Sequence, residues 1–184
     1  RIDAAARKLA RRAHGLRRAG RLDAARTCAR EAAAALQALI DAGEASLRPM
    51  WAEAVALECG IAIDGGRFDD VLACIDAALE TLRHHVDPGS GACGGVCNDD
   101  GPVRLARSRL HLEAARLHVL RAQPLPAREH AQVAVEAPPL ATLEGESGTL
   151  IGLRARASDG IAVSMLGDHA AGIKQREHAL AGID

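Results

Sequence analysis

Four side chains near the middle of the sequence have the chemistry of metal ligands: His84, His85, Cys93 and Cys97. Two thiolates and two imidazoles could complete the tetrahedral coordination of a zinc ion. However, the C-x3-C spacing is wider than the usual C-x2-C knuckle, and two adjacent histidines do not easily face one metal ion. A Cys93–Cys97 disulfide is a second interpretation, because the glycines between the cysteines permit a short Cα separation. We favour a third, two free thiols in a loop, and therefore predict neither a bound metal nor a cofactor.

The other histidines do not form a recognised metal-binding pattern. His111 and His118 lie seven residues apart beside Glu113, whereas an H-E-x-x-H motif places its two histidines four apart on one helical face. Four further histidines are scattered along the chain. We predict that all six lie at the surface or at helix edges: His14, His111, His118, His130, His169 and His178.

Catalytic motifs are absent from the sequence. It contains no glycine-rich phosphate loop between a strand and a helix and no G-x-S-x-G nucleophile motif. The three cysteines outside the loop, Cys28, Cys59 and Cys74, fall on apolar helical faces, where a free thiol packs as a small hydrophobic group. The sequence therefore nominates no catalytic residue, and an enzyme is the less favoured interpretation.

The composition indicates a helical protein with a thin core. Of the 184 residues, 48% are hydrophobic, but there is one Trp, one Phe and no Tyr. Alanine is the strongest helix former and runs of β-branched residues are absent, so we predict one all-α domain over residues 1–184. No apolar run approaches the ~20 residues of a membrane-spanning helix. The five cysteines, an odd number, do not describe a secreted disulfide framework, so we expect a cytoplasmic protein without a membrane partner.

The charges are distributed unevenly along the chain. Residues 1–30 carry a net charge of +8, whereas residues 31–100 carry −10. This asymmetry suggests either an electrostatic surface for a partner or contact between the two parts of the chain. The arginines of the first helix could also contact nucleic-acid phosphates. They spread widely around that helix, and the chain lacks the aromatic side chains that stack on bases, so we do not expect a nucleic-acid partner.

The spacing of apolar residues predicts eight helices. Hydrophobic positions recur three or four residues apart, and glycine or proline separates one helix from the next. The predicted helices span residues 2–18, 21–41, 49–64, 67–85, 102–122, 127–136, 149–165 and 169–182. Two irregular loops at 86–101 and 137–148 interrupt the pattern, and we expect no β-strand.

Two segments of the sequence repeat each other at a constant shift of 46 residues. Residues 20–25 read GRLDAA and residues 66–71 read GRFDDV. In both copies an apolar helical run ends at the glycine, and a second run opens with an aspartate. A glycine accommodates the positive φ that ends a helix, and an aspartate near a helix start favours the helix dipole. The repeated unit is therefore a helix–turn–helix hairpin.

This repeat resembles the tetratricopeptide (TPR) repeat, in the degenerate, longer form of bacterial regulators and scaffolds. The residues that carry the resemblance are Leu9, Ala13, Leu16, Gly20, Leu22, Ala25 and Ala32 in the first unit and Val55, Cys59, Ala62, Gly66, Phe68, Val71 and Ala78 in the second. The last unit echoes the pattern at Gly160, Val163, Gly167 and Ala179, whereas the third has Gln123-Pro124 in place of the turn glycine. The spacing exceeds the usual 34 residues of the family, and alanine or leucine occupies most of its aromatic positions.

The resemblance implies a right-handed α-solenoid of about four helical hairpins, whose first helices line a concave face that binds a protein or peptide. In the register of the family, that face presents Arg7, His14, Arg17, Arg18, Glu53 and Asp64. We therefore interpret the chain as a TPR-like scaffold or regulatory module, and a homo-oligomer stays open. The alternatives are a metal- or redox-responsive protein that uses the Cys93–Cys97 loop and a nucleic-acid-associated regulator fragment that uses the basic first helix.

Overall fold

The polypeptide is all-helical in the computed structural model, which describes residues 2–83 and 101–182. Within these ranges it forms a short 3₁₀ helix, Ala45–Leu47, and eight α-helices: α1 (Ile2–Arg18), α2 (Leu22–Asp41), α3 (Arg48–Asp64), α4 (Val71–Arg83), α5 (Gly101–Leu120), α6 (Pro124–Val135), α7 (Gly148–Met165) and α8 (His169–Ala181). The same ranges contain no β-strand, only an isolated antiparallel bridge between Ala141 and Ser147. The prediction of an all-α protein is confirmed.

Four residues and one loop of the sequence predictions lie outside the described residues. They are His84, His85, Cys93 and Cys97, together with the predicted loop 86–101 up to residue 100. Gly101 is the first residue of α5 rather than the last residue of that loop. The zinc, disulfide and free-thiol interpretations therefore stay predictions.

The helices pair into four helical hairpins, α1–α2, α3–α4, α5–α6 and α7–α8, and all four turn in the same way. In the first turn, the amide groups of Gly20 and Arg21 donate to carbonyls three and five residues earlier. The same two hydrogen bonds recur at Gly66, Ala122 and Gly167. These residues have φ values of 73°, 69°, 55° and 103° in chain order. Positive φ favours glycine, so Ala122 is the exception, at a turn that the sequence predicts from its prolines rather than from a turn glycine.

Two helices begin at other residues than the sequence pattern predicts. The predicted start of the fourth helix at residue 67 is wrong, because Asp70 has a φ of 63° and α4 begins after it, at Val71. Phe68 precedes the helix and packs, half-buried, against the core. The sixth helix begins at Pro124 rather than at residue 127, because the first turn of a helix tolerates proline.

Small side chains let the helices approach one another closely. Each helix contacts the next one along the chain, and the first helices of the hairpins also contact one another in the order α1, α3, α5, α7. Among the described residues, no second helix contacts another second helix. The fully buried alanines between α1 and α2 are Ala6, Ala10, Ala13, Ala25, Ala29 and Ala32. None of the helices in the described ranges is both long and apolar enough to cross a membrane.

The basic first hairpin forms ion pairs with the acidic second one. Arg26 and Arg30 on α2 place their Nε atoms 3.4 and 2.6 Å from one oxygen of Glu58 on α3. Arg67, in the turn before α4, lies 2.7 Å from Asp23 on α2. Exposed pairs of this kind stabilise a fold by about 0.2–1 kcal/mol each. Part of the charge asymmetry of the sequence is therefore used within the molecule.

The cysteines predicted for the core divide into two groups. Cys28 and Cys59 are buried, as predicted, and burial raises the pKa of the Cys59 thiol. Cys74 is exposed, so the core prediction is wrong for it. The buried stripe of α4 runs through Val71 and Ile75 instead, which lie three residues before and one residue after Cys74.

Candidate binding groove

The first helices of all four hairpins line one cavity of about 730 Å³, which we call the groove. The segment between α6 and α7 forms its remaining wall. Charged side chains of both signs predominate among the lining residues, which are His14, Arg17, Arg18, Asp64, Leu112, Glu113, Arg116, Glu144, Gly145, Glu146, Leu150 and Arg154.

A buried arginine on α5, Arg109, lies beneath the groove. Its side chain is 2% exposed, and three carboxylates surround it, none more than 4% exposed. Its Nη2 lies 2.9 Å from Oε1 of Glu144, its Nη1 contacts Oε2 of Glu146, and its Nε lies 3.6 Å from Oε1 of Glu113. A buried guanidinium without a partner would be strongly destabilising. The carboxylates therefore make its burial possible.

Two further arginines balance the excess negative charge around Arg109. Arg116 donates from Nη1 to Oε2 of Glu113 at 2.5 Å. Arg154 on α7 donates from Nη1 to Oε1 of Glu146 and keeps about half of its side chain exposed. Each of these buried carboxylates consequently bridges two guanidinium groups, and the charges of the groove wall are largely compensated within the molecule.

At the rim, Asp64 connects three helices. Arg17 Nε on α1 and Arg116 Nη2 on α5 lie 2.5 Å from its two carboxylate oxygens. Burial alone would raise the pKa of Asp64, but hydrogen bonds and charges from both guanidiniums outweigh it, so the pKa lies below its ordinary value. Asp64 is therefore ionised at neutral pH and ties α3 to α1 and α5.

A glycine in the middle of α3 leaves the room that Glu113 needs. A Cβ atom added at Gly60 would lie 2.9 Å from the carboxyl carbon and both carboxylate oxygens of Glu113. Glycine in a helix interior is roughly 0.5–1 kcal/mol less favourable than alanine. Without a Cβ at Gly60, the Glu113 carboxylate has room to reach both Arg109 and Arg116, and the lower helix propensity of glycine is the cost of this room.

Residues 140–148 form a tight backbone hairpin, the inner hairpin, that enters the groove. Thr142 N donates to the Glu146 carbonyl at 2.8 Å, and Glu146 N donates to Thr142 Oγ1 at 2.8 Å. Gly145 N donates to the Thr142 carbonyl and closes the turn. Leu143 in this turn is 2% exposed and packs against the core formed by α1, α2 and α3. The predicted irregular loop at 137–148 is thus an ordered hairpin over most of its length.

Glu53 on α3 binds the backbone of the inner hairpin. Leu143 N donates to its Oε2 at 2.5 Å. Glu53 is 7% exposed. Burial raises its pKa to about 7, although the hydrogen bond from Leu143 acts in the opposite direction. The Glu53 carboxyl therefore keeps its proton to a higher pH than an ordinary glutamate does.

The structure brings four of the six sequence-predicted partner-binding residues to the groove: His14, Arg17, Arg18 and Asp64. Glu53 lies under the inner hairpin, and Arg7 is half-buried on α1 and lies close enough to lower the pKa of Glu53. Arg18 is exposed at the groove rim. Burial lowers the pKa of His14, whose Nδ1 atom has no hydrogen-bond partner within the described part of the chain.

Sequence reasoning did not identify the residues beneath the groove. Arg109, Glu113 and Arg116 lie four and three residues apart, so one face of α5 carries all three, and this spacing was a usable signal. Glu144 and Glu146 alternate as they would in a strand. Nothing in their spacing indicates that these two carboxylates face Arg109.

A second polar cluster, the histidine cluster of His111, His118 and His130, lies between α5 and α6. The Nδ1 atoms of His111 and His130 are 2.8 Å apart, so one ring must donate and the other accept. His118 stacks on His130 at a centroid distance of 5.4 Å and pairs with Gln123 Oε1 at 2.8 Å. His118 is 9% exposed, so the predicted surface position is wrong for this residue, because α6 covers it.

Burial decides the protonation of the histidine cluster. It lowers the pKa of His111 to about 4, with a smaller contribution from His130 in the same direction. The pKa of His130 is also lowered, again mainly by burial. Within the described ranges, no group of three or more His, Cys, Asp or Glu side chains has an arrangement that could hold a metal ion. His111 and His130 are therefore neutral at neutral pH.

Comparison with known proteins gives no family assignment. No protein-family model, curated protein or solved structure matches the chain. The resemblance to TPR repeats therefore depends on the residues of this sequence, and function has to be argued from the groove.

Proposed function

We propose that the chain is a TPR-like α-solenoid that binds a protein or peptide segment in the groove and has no catalytic activity of its own. The observation that carries this proposal is that the first helix of every hairpin contributes side chains to one cavity. Its volume of about 730 Å³ falls within the roughly 300–1,000 Å³ that ligand-binding clefts enclose. The groove can therefore accept a short peptide segment beside the inner hairpin.

The order of helix contacts supports the solenoid part of the proposal. In helical-hairpin solenoids each repeat packs only on its neighbours, so the first helices form a row. Here α1, α3, α5 and α7 contact one another in sequence, and all four turns use the same two hydrogen bonds. A solenoid with this row on its inner side would place the groove on its concave face.

The charges of the groove favour an acidic partner. The carboxylates of Asp64, Glu113 and Glu146 are already paired with arginines of this chain. Arg18 is exposed at the rim and forms no ion pair within the described residues. An approaching anionic side chain would therefore meet Arg18 first. Exposed charges of this kind increase the association rate and the specificity of binding, and both effects weaken as the salt concentration rises.

The nucleic-acid alternative has less support. Arg17, one of the arginines of the first helix that could contact phosphates, pairs with Asp64 instead. The metal- or redox-responsive alternative concerns the segment around Cys93 and Cys97, which lies outside the described residues. Neither alternative has an observation of its own in its favour.

A peptide-display selection tests the proposed function. Random peptides selected on the purified protein are measured by fluorescence anisotropy against two variants of α1, Arg18→Glu and Arg12→Glu. Arg12 is exposed and lies about half a helical turn away from His14, so its reversal makes the same charge change outside the groove. Arg17 is a poorer probe, because its reversal would also break the pair with Asp64.

We expect Arg18→Glu to weaken binding roughly fivefold at low salt and less at high salt, because the lost attraction is exposed. Arg12→Glu should change the Kd less than twofold, and both variants should keep the helical circular dichroism of the wild type. Equal weakening by the two variants, or selected peptides that bind regardless of Arg18, would contradict the proposed site.

A further inference from the structure

We infer that the inner hairpin is an internal ligand of the groove, and that the partner segment it replaces is an acidic turn with the pattern Leu-Glu-x-Glu. This inference rests on the proposed function and adds the chemical class of the ligand. It follows from the contacts that the groove makes with residues 143–146 and from the way in which the inner hairpin connects α6 to α7.

Three different features of the inner hairpin are recognised by the surrounding helices. The Leu143 side chain is buried against α1, α2 and α3, and the Leu143 amide donates to Glu53. The carboxylates of Glu144 and Glu146 contact Arg109, and Glu146 also binds Arg154. An apolar anchor, a captured backbone amide and two paired carboxylates are the elements by which a groove selects a peptide.

The chemistry of these contacts argues against a purely structural role. A buried cluster of ion pairs adds little net stability over well-packed apolar residues of similar volume. A connection between hairpins does not need such contacts. The connection between α2 and α3 passes through the 3₁₀ helix Ala45–Leu47 and contributes no lining residue to the groove. The connection between α6 and α7 instead places two carboxylates above a buried arginine.

The inner hairpin can leave the groove without unfolding a helix. Its backbone–backbone hydrogen bonds are made within residues 138–148, so they can persist when the hairpin moves, and of its backbone groups the Leu143 amide has to leave a partner, Glu53. Glu144, Gly145 and Glu146 form a wall of the open cavity, so an external segment in the groove would lie beside the hairpin that it replaces. The ion pairs of Asp64 with Arg17 and Arg116 do not involve the hairpin and would remain.

The test uses a fluorescein-labelled peptide of residues 138–149, PPLATLEGESGT, added in trans to the full chain. The control peptide carries glutamine at the two positions that correspond to Glu144 and Glu146. The protein is compared as wild type and as Leu143→Ala, which removes the apolar anchor and leaves the carboxylates that pair with Arg109 in place. A second variant, Gly145→Val, loosens the turn through its φ of 94° and leaves the core unchanged.

We expect the peptide to bind Leu143→Ala and Gly145→Val at least tenfold more tightly than the wild type, because their own hairpin competes less. The control peptide should bind each variant at least tenfold more weakly than the acidic peptide. Circular dichroism and thermal unfolding establish which variants are folded, and either variant alone is sufficient for the comparison.

Three outcomes would overturn the inference: equal affinity for wild type and variants, equal affinity of both peptides, or no binding to any folded variant. If peptides selected from the random library still bind and respond to Arg18→Glu, the groove binds ligands and the inner hairpin is not a copy of them. If no peptide of either kind binds, the proposed function fails together with the inference.

Discussion

Helix α5 carries ionisable groups on two opposite sides, and the two sides solve the problem of burial differently. On the groove side, Arg109 and Arg116 are charged and pair with carboxylates. On the side facing α6, His111 and His118 belong to a cluster of packed imidazole rings, in which burial lowers the pKa of His111. Residues 109 and 111 are separated by about 200° around the helix, so neither cluster screens the other directly.

This difference determines how the stability that each cluster contributes depends on pH. On the groove side, Arg17 and Arg116 lower the pKa of Asp64 despite its burial, so the stability that its ionised form contributes is lost as the pH falls through this lowered value. The histidine cluster also loses stability in acid, because the pKa of His111 is lowered and the unfolded chain binds the proton more tightly as the pH falls below 6.5. Glu53 is the exception, because its raised pKa makes the protein lose stability as the pH rises.

The largest effect is expected for Arg109→Ala. This change leaves the carboxylates of Glu113, Glu144 and Glu146 buried with fewer partners. We expect a loss of about 3–5 kcal/mol in the free energy of unfolding, measured by urea denaturation. The control is Arg104→Ala on the same helix, where an exposed guanidinium donates to the Glu136 carbonyl at 3.3 Å. Similar losses in both variants would mean that the buried pairs do not stabilise the groove.

Glu53→Gln should change how stability depends on pH. Between the unfolded value of 4.5 and the folded value of about 7, the folded state holds more protons, so wild-type stability falls as the pH rises through this window. Glutamine keeps an oxygen that can accept from Leu143 and does not ionise. We expect the variant to exceed the wild type by about 1–2 kcal/mol at pH 8 and by less at pH 5. Chemical unfolding at both pH values measures this.

Glu129→Gln is the matched control for that profile, since Glu129 is exposed on α6. Its profile should follow the wild type at both pH values. If the gain of Glu53→Gln were the same at pH 5 and pH 8, ionisation of Glu53 would not be its cause.

Gly60→Ala tests the packing on the groove side. Alanine improves helix propensity, but its Cβ would lie 2.9 Å from the Glu113 carboxylate and displace it from Arg109 and Arg116. We expect a net loss of about 1 kcal/mol in unfolding free energy. Gly15→Ala in α1 makes the same substitution with no atom within 4 Å of the new Cβ, so it should stabilise by about 0.5–1 kcal/mol. A gain of stability at both positions would contradict the claim that a Cβ at Gly60 displaces the Glu113 carboxylate.

His111→Phe tests the neutral side of α5. The pKa of about 4 predicts that wild-type stability is complete near pH 7 and falls by about 1 kcal/mol towards pH 5, because the unfolded chain binds the proton more tightly. Phenylalanine keeps a ring against His130 and cannot be protonated, so the variant should lose less stability over this range. His169→Phe at the exposed start of α8 should keep the wild-type slope. An unchanged slope in His111→Phe would assign the acid sensitivity to other groups.

The sequence predicts the helices better than the groove because helices depend on local spacing. The runs of α1, α2 and α3 are apolar at every third or fourth position, and their bounds lie within one residue of the predictions. Arg109 and Glu144 are far apart in the sequence, and their contact depends on how the hairpins stack. A charged residue in a loop is usually solvated, so the pattern of residues 137–148 gave no sign that two glutamates are buried.

The third helical turn shows the same limit on a smaller scale. The prolines predict a helix break here but the repeat pattern matches poorly, because Gln123-Pro124 replaces the turn glycine, yet the backbone closes with the hydrogen bonds of the other three turns. Ala122 has a φ of 55°, where an alanine is strained by about 1 kcal/mol. Gln123 beside it pairs with His118, so the same turn holds the histidine cluster in place.

Ala122→Gly should therefore give the smallest effect, a gain of about 0.5–1 kcal/mol, since glycine adopts positive φ without strain but loses more entropy on folding. The reverse change at the equivalent position, Gly20→Ala, should cost a similar amount, because Gly20 has a φ of 73° and open space around it. Urea unfolding of both variants, with nuclear magnetic resonance of the His118 ring, would measure the two changes. A loss of stability in Ala122→Gly would contradict this prediction. It would mean that the rigidity of this turn stabilises the histidine cluster by more than the backbone strain of Ala122 costs. The two sides of α5 would then differ in packing as well as in charge.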